Sequence, residues 1–343
     1  MKQQRFILIQ IVVLALFVKS NAIYAQNDTI SHVTFSSDTT LIQPPYLKKG
    51  DTIAMVAPAG VLKNKEPIEK AISTIESWGL YVVLGKHVFT DNFHFAGTDA
   101  QRVEDFQKAL DDPTIKAVIA ARGGYGTGRI IDDLNFEGFK KHPKWIVGYS
   151  DVTVLHSHIH TLGVETLHAA MGTSFLKESE DHLETIASLK SALFGHHLDY
   201  EISSSKYNRT GLAVGQLVGG NLSLLQNLAG TDSSIDTTNK IVFIEEIGEY
   251  LYHIDRMLYG LKRNRYFENC KGLIIGDFSN IKKNTTPFGM TLEELVLNIT
   301  KEYDFPVLFN FPAGHEDKNL ALIMGREIKM KVGKKKASVK FKN

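Results

Sequence analysis

Two stretches decide how this chain folds: Ala117-Val-Ile-Ala-Ala-Arg-Gly-Gly-Tyr-Gly-Thr-Gly128 and Trp145-Ile-Val-Gly-Tyr-Ser-Asp151. Each opens with a short run of apolar residues and breaks at glycine. Such runs mark strands covered on both faces, as in parallel sheets. The second runs straight into a segment expected to be helical from about Asp151. A strand that ends at glycine and turns directly into a helix is the repeating unit of an α/β fold.

The same alternation extends upstream. Thr52 to Val56 predicts a strand that ends in the turn Ala57-Pro-Ala-Gly60. Ile68, Ala71, Ile72 and Ile75 have helical spacing, and Gly79 stops that helix. Leu80 to Leu84 predicts another strand, and Val103, Phe106 and Leu110 a second helix with Asp99 near its start. Residues 47–175 are therefore expected to form an N-terminal domain, a mostly parallel sheet with flanking helices. Residues 176–210 are charged and less periodic, and predict an interdomain crossing segment. Beyond them come short strands at Val214 to Val218, Ile241 to Ile244 and Gly272 to Ile275. Glu327 to Val332 and Ala337 to Lys342 alternate around Gly333-Lys-Lys-Lys336, which predicts a β-hairpin. Residues 211–343 are thus expected to form a smaller, β-rich C-terminal domain with more antiparallel sheet.

The first 25 residues read differently. Lys2 and Arg5 precede an apolar stretch from Phe6 to Val18, and small residues follow at Ala22 and Ala25. This is the pattern of a secretory signal peptide, and the stretch is shorter than the ~20 residues of a membrane span. No cysteine follows it, so a lipoprotein anchor is excluded. Residues 26–46, polar and closed by Pro44-Pro45, read as a linker. The expected location is outside the cytoplasm, in the periplasm.

The chain has 343 residues, of which 43% are hydrophobic and 22% charged, an ordinary globular balance. A formal charge of +1 gives no footprint for nucleic acid. Cys270 is the one cysteine, which excludes an intramolecular disulfide, a cysteine zinc site and an iron–sulfur cluster.

Four places in the sequence could carry chemistry. Ser150 stands at the strand-to-helix turn, where free backbone N–H groups can hold an oxyanion; the plainer reading is a helix cap. The glycine loop from Arg122 to Gly128 matches neither the dinucleotide fingerprint nor the phosphate loop. It is either an oxyanion hole or a simple turn. Glu245 ends an apolar strand, where an acid is costly unless paired; it orients a histidine or faces solvent. His315 follows Pro312-Ala-Gly314 on a tight loop and suits a general base, or is an ordinary exposed histidine. His156 and His160 share a helix face, but no acid has the spacing that metal sites bring. The expectation is a structural role for them, with no metal and no cofactor.

Taken in order, these motifs resemble the LD-carboxypeptidase family of serine peptidases, which includes the microcin C immunity peptidases. The similar stretches are Gly50 to Ala59, Ala96 to Arg102, Arg122 to Gly126, Gly148-Tyr-Ser-Asp151 and His168-Ala-Ala-Met171. They continue with Gly219-Gly-Asn-Leu222, Glu245-Glu-Ile-Gly-Glu249, Ile254-Asp-Arg-Met-Leu258, and Gly314-His315 with Asn319. The resemblance implies a catalytic triad of Ser150 as nucleophile, His315 as base and Glu245 as its orienter. Strand alternation also turns Glu245 and Glu246 to opposite faces, so only one can serve. The oxyanion hole implied is the backbone N–H of Asp151 and of Gly124. The implied reaction removes the terminal D-alanine from a muropeptide tetrapeptide, cutting an L-D bond in peptidoglycan turnover or recycling. Arg122 is a candidate for the terminal carboxylate, with a structural ion pair as the alternative. A microcin C-like adenylate peptidase is a second reading, with Tyr207 as the aromatic available for stacking. A non-catalytic periplasmic binding protein is a third. The substrate is the one partner implied: no nucleic acid, no membrane span after signal cleavage, and a homodimer left open.

Overall fold

The computed structural model describes residues 41–176 and 178–342. The expected signal peptide, 1–25, and residues 26–40 of the expected linker lie outside the described residues. The rest of that linker is packed. Ile42 bridges to Val164, Pro45 accepts a hydrogen bond from the Trp145 indole at 3.0 Å, and Tyr46 stacks on the Trp145 ring. Packing against the core therefore reaches residues before Leu47, because Pro45 and Tyr46 both meet Trp145.

The first sheet is built from β1 (Thr52–Val56), β2 (Tyr81–Leu84), β3 (Ile115–Ala120), β4 (Trp145–Gly148) and β5 (Thr166–His168). All five are parallel, in the order β5-β4-β3-β1-β2. Helices α1 (Glu66–Ser77), α2 (Asp99–Asp111), α3 (Glu137–Lys141) and α4 (Thr153–Thr161) connect them. Helix α2 starts on a capping box in which Thr98 and Gln101 satisfy each other's backbone N–H groups. In β1, β3 and β4 nearly every side chain is buried, as a sheet covered on both faces requires.

The second sheet draws on more of the chain than expected. Residues 176–210 contain α5 (Glu180–Leu193) and β6 (Asp199–Ser203), and β6 is an edge strand of that sheet. Next come β7 (Gly211–Asn221), α6 (Leu222–Leu228), β8 (Ile241–Ile247), α7 (Leu251–Arg263), β9 (Gly272–Ser279), α8 (Leu292–Ile299) and β10 (Val307–Leu308). The chain closes with β11 (Leu322–Met324), β12 (Glu327–Val332) and β13 (Lys336–Phe341). The sheet order is β10-β9-β8-β7-β12-β13-β6, parallel from β10 to β7 and antiparallel beyond. Strand β11 leaves this sheet and pairs antiparallel with β5 in the first. At three residues it is too short to show a period in sequence.

Three apolar clusters hold these layers. One lies between the two sheets and joins Met55, Ile119 and Val147 to Phe243, Ile274 and Leu217, with α1 and α5 contributing. A second covers the other face of the first sheet under α2 and α4, and a third the other face of the second under α6, α7 and α8. Ligand sites of open parallel sheets form beyond the carboxyl ends of the strands. Ser150 follows the end of β4, Glu245 is near the end of β8, and His315 follows β10.

Candidate active site

Ser150 sits between β4 and a short 3-10 turn, Ser150–Val152, that leads into α4. Its φ is +61°, the left-handed region that a non-glycine residue enters at a cost of roughly 1–3 kcal/mol. The turn is pinned from behind. The buried His156, on α4, bonds the Gly148 carbonyl through Nε2 at 2.9 Å and the Thr166 hydroxyl through Nδ1 at 2.8 Å. Burial holds the His156 pKa down to about 4, so it is a neutral strut. His158 bonds the Ser233 hydroxyl. The histidine run is thus spent mainly on structure, as its spacing suggested.

The glycine loop packs directly against the serine. A Cβ placed on Gly123 would lie 3.2 Å from Ser150 Cβ and 3.4 Å from its Oγ, so any larger residue would press on the serine. The Gly123 carbonyl accepts from Gly60 N–H at 3.0 Å, and the planar peptide then turns the Gly124 N–H the opposite way. Among the described residues, neither the Gly124 nor the Asp151 backbone N–H donates to another protein group. The Asp151 carboxylate accepts from Thr127 N–H at 2.7 Å and so ties the loop to the serine turn. Burial raises its pKa, while hydrogen bonds from Thr127 and Gly126 and the charge of Arg102 oppose the rise. Buried Arg102 clamps the loop from the other side, donating to the Pro58 and Gly126 carbonyls and pairing with Asp99. Arg122, half-buried, donates through Nη1 to the Val61 carbonyl. Its remaining N–H groups make no bond among the described residues. Arg129, at the far end of the loop, is held by Asp99.

The acid and the base come from the second sheet. Glu245 is fully buried, and its Oε2 bonds His315 Nδ1 at 2.7 Å. Glu246 faces the other way. Its carboxylate accepts from the Asn221 amide and from the N–H groups of Ser223 and Ile247. The two neighbours are therefore both buried, one on the histidine and one at the start of α6. Asn319 accepts from Gly314 N–H at 3.1 Å and braces the His315 loop.

Tyr149 joins the two halves, its ring meeting the His315 imidazole edge-on at 5.0 Å. Sequence reasoning passed over this residue; its position beside Ser150 was the signal. The Ser150 hydroxyl itself makes no hydrogen bond among the described residues. Burial opposes protonation of His315, but the Glu245 bond and the charges of Glu245, Glu246 and Asp277 outweigh it and raise the pKa. The Nδ1 bond leaves Nε2 as the imidazole nitrogen free to take a proton. His168, from the shared motif, is wholly buried on β5, and burial holds it neutral. Tyr207 packs on Phe309 in the core of the second sheet. Among the described residues, no three histidine, cysteine or acidic side chains group to hold a metal, and no helix is long and apolar enough to cross a membrane.

Residues 53–169 match the LD-carboxypeptidase N-terminal domain, and residues 214–330 its C-terminal domain. A probable murein peptide carboxypeptidase of Bacillus subtilis is 36% identical over 300 residues, covering 87% of this chain and 94% of that one. The crystal structure of a muramoyltetrapeptide carboxypeptidase from Oxalobacter formigenes superposes with a TM-score of 0.77 at 28% identity, over 85% of this chain and 99% of that one. The microcin C7 self-immunity protein shares the fold, with a TM-score of 0.78 at 21% identity over 88% of this chain and 98% of that one.

Proposed function

The chain belongs to the LD-carboxypeptidase family and is a serine-type carboxypeptidase, and from that premise we propose that it removes the terminal D-alanine of a murein tetrapeptide with Ser150, His315 and Glu245 as its triad. The observation that carries this reading is the Glu245–His315 bond, with the ring of Tyr149, the residue before Ser150, 5.0 Å from that imidazole. Glu245 accepts a hydrogen bond from Nδ1–H and so fixes the tautomer in which Nε2 is the base. The Ser150 hydroxyl, its proton drawn to Nε2, attacks the carbonyl before D-alanine. The tetrahedral oxyanion is held by the Gly124 and Asp151 N–H groups, which have no other partner among the described residues. Collapse expels the D-alanine amine with the proton from His315. A water activated by the same imidazole then frees the acyl group from Ser150. The unbonded N–H groups of Arg122, at the mouth of the glycine loop, suit the terminal carboxylate of the substrate.

The N-terminal signal-like pattern of Lys2, Arg5 and the apolar run Phe6 to Val18 supports a reaction outside the cytoplasm, in the periplasm, on peptides released from the cell wall. Incubating the purified protein with a murein tetrapeptide and following D-alanine release by mass spectrometry tests the reading. Release by the unaltered protein and none by Ser150→Ala is expected. An intact tetrapeptide, or equal release by both proteins, sinks it.

A further inference from the structure

The loop that carries His315 is held by more than Glu245. Strand β9 has an irregularity against β8: Ile244 pairs with Ile275, but Glu246 pairs with Phe278. Gly276 and Asp277 together therefore oppose the single residue Glu245. An extra residue of this kind re-aims a side chain. Here it turns Asp277 onto the histidine loop. Its backbone N–H donates to the Ala313 carbonyl at 2.9 Å, and its Oδ2 accepts from Glu316 N–H at 3.4 Å. The residues on both sides of Gly314-His315 thus hang on one aspartate. The fit between them is close. A Cβ on Gly314 would come within 2.8 Å of Asp277 Cβ and 3.3 Å of Glu245 Cβ.

We propose that Asp277 is a positioning residue for His315, clamping its loop and adding a second negative charge beside the imidazole. The proposal rests on His315 being the base, but its geometry stands apart from the identity of the substrate. Burial pushes the Asp277 pKa up to about 7. The Glu316 N–H opposes the rise, the charges of Glu316 and Glu245 add to it, and that of His315 opposes it. The groups facing Asp277 are Glu245 on β8, His315 and Glu316 on the loop, and Glu293 across an open cavity of about 530 Å³. Through that cavity protons reach the carboxyl. Asp277 and His315 each act on the other's charge, so their titrations are linked. Ionised Asp277 favours the imidazolium, so its removal makes His315 harder to protonate.

The test compares the unaltered protein with Asp277→Asn and Asp277→Ala. Histidine is isotopically labelled, and His315→Asn assigns the His315 resonance in the NMR titration. In Asp277→Asn the His315 midpoint should fall by roughly half a pH unit, the effect of one partly screened charge. Asparagine can still accept from Glu316 N–H, so this variant should keep most of kcat. Asp277→Ala keeps the backbone bond to Ala313 but loses the side-chain half of the clamp, and should lose about tenfold in kcat with little change in KM. A His315 midpoint in Asp277→Asn that matches the unaltered protein overturns the proposal, as does an undiminished kcat in Asp277→Ala. If the Ala variant does not fold, the Asn titration decides. If the unaltered protein releases no D-alanine but the midpoint shifts, the substrate reading fails and the positioning role stands.

Discussion

The serine turn and the histidine loop solve the same problem by different means. Ser150 is placed by one continuous run of chain, in which a strand, a left-handed residue and a helix follow without a gap. Its supports, His156 and Asp151, lie within six residues of it. His315 is placed mainly by residues far away in sequence. Glu245 is 70 positions upstream, and the loop is braced by Asn319 and by the end of β9. A site built locally keeps its geometry so long as its turn forms. A site hung between elements is only as exact as the packing of those elements, and misplacing a catalytic group by about 1 Å can cost ~100-fold.

Substitutions can break or sharpen this contrast. The largest effect is expected at the local half. Ser150→Ala should lower kcat by about 10⁴-fold or more while leaving the thermal melting point nearly unchanged, because the fold does not lean on that hydroxyl. Steady-state kinetics and calorimetry on the same preparation check both. A collapse of the fold would show that the turn is not self-supporting.

Next is Glu245→Gln. The amide cannot fix the productive tautomer as the carboxylate does, and kcat should fall about 10³–10⁴-fold with the structure retained. The pH profile adds a sign. His315 must be neutral to act, and its folded pKa is raised, chiefly by Glu245 against the opposing effect of burial. In the unaltered protein kcat/KM should therefore decline as pH falls through a raised His315 pKa. Residual activity in Glu245→Gln should persist to lower pH. An acidic limb that does not move would separate Glu245 from the base.

Gly314→Ala probes the assembled half directly. Gly314 has φ +144°, and a methyl group there meets Asp277 and Glu245. About 100-fold should be lost in kcat, together with stability, whereas a similar insult at an exposed loop would cost only stability.

Arg122→Ala should give the smallest change, about tenfold or less. If the guanidinium binds the terminal carboxylate, cleavage of the free acid should fall more than cleavage of the C-terminal amide. An equal loss for both confines Arg122 to its bond with the Val61 carbonyl.

What the sequence determined by itself is whatever a short window of chain controls. The apolar runs at Thr52–Val56, Ala117–Ala121 and Trp145–Gly148 mark the parallel strands because covered strands need side chains that tolerate burial on both faces. The order of motifs marked the family for the same reason: each motif is local. Only the tertiary structure decided which groups meet. It brought Glu245 and His315 together across 70 residues and sent the adjacent Glu246 to the start of α6. It made the ring of Tyr149 a neighbour of the imidazole, folded the crossing segment into a strand, and added β11 to the first sheet. Apart from the opposite facing of Glu245 and Glu246, which strand alternation predicts, none of these has a periodic or compositional trace. Each is a contact between segments that the chain brings together only when the two sheets bury their shared core.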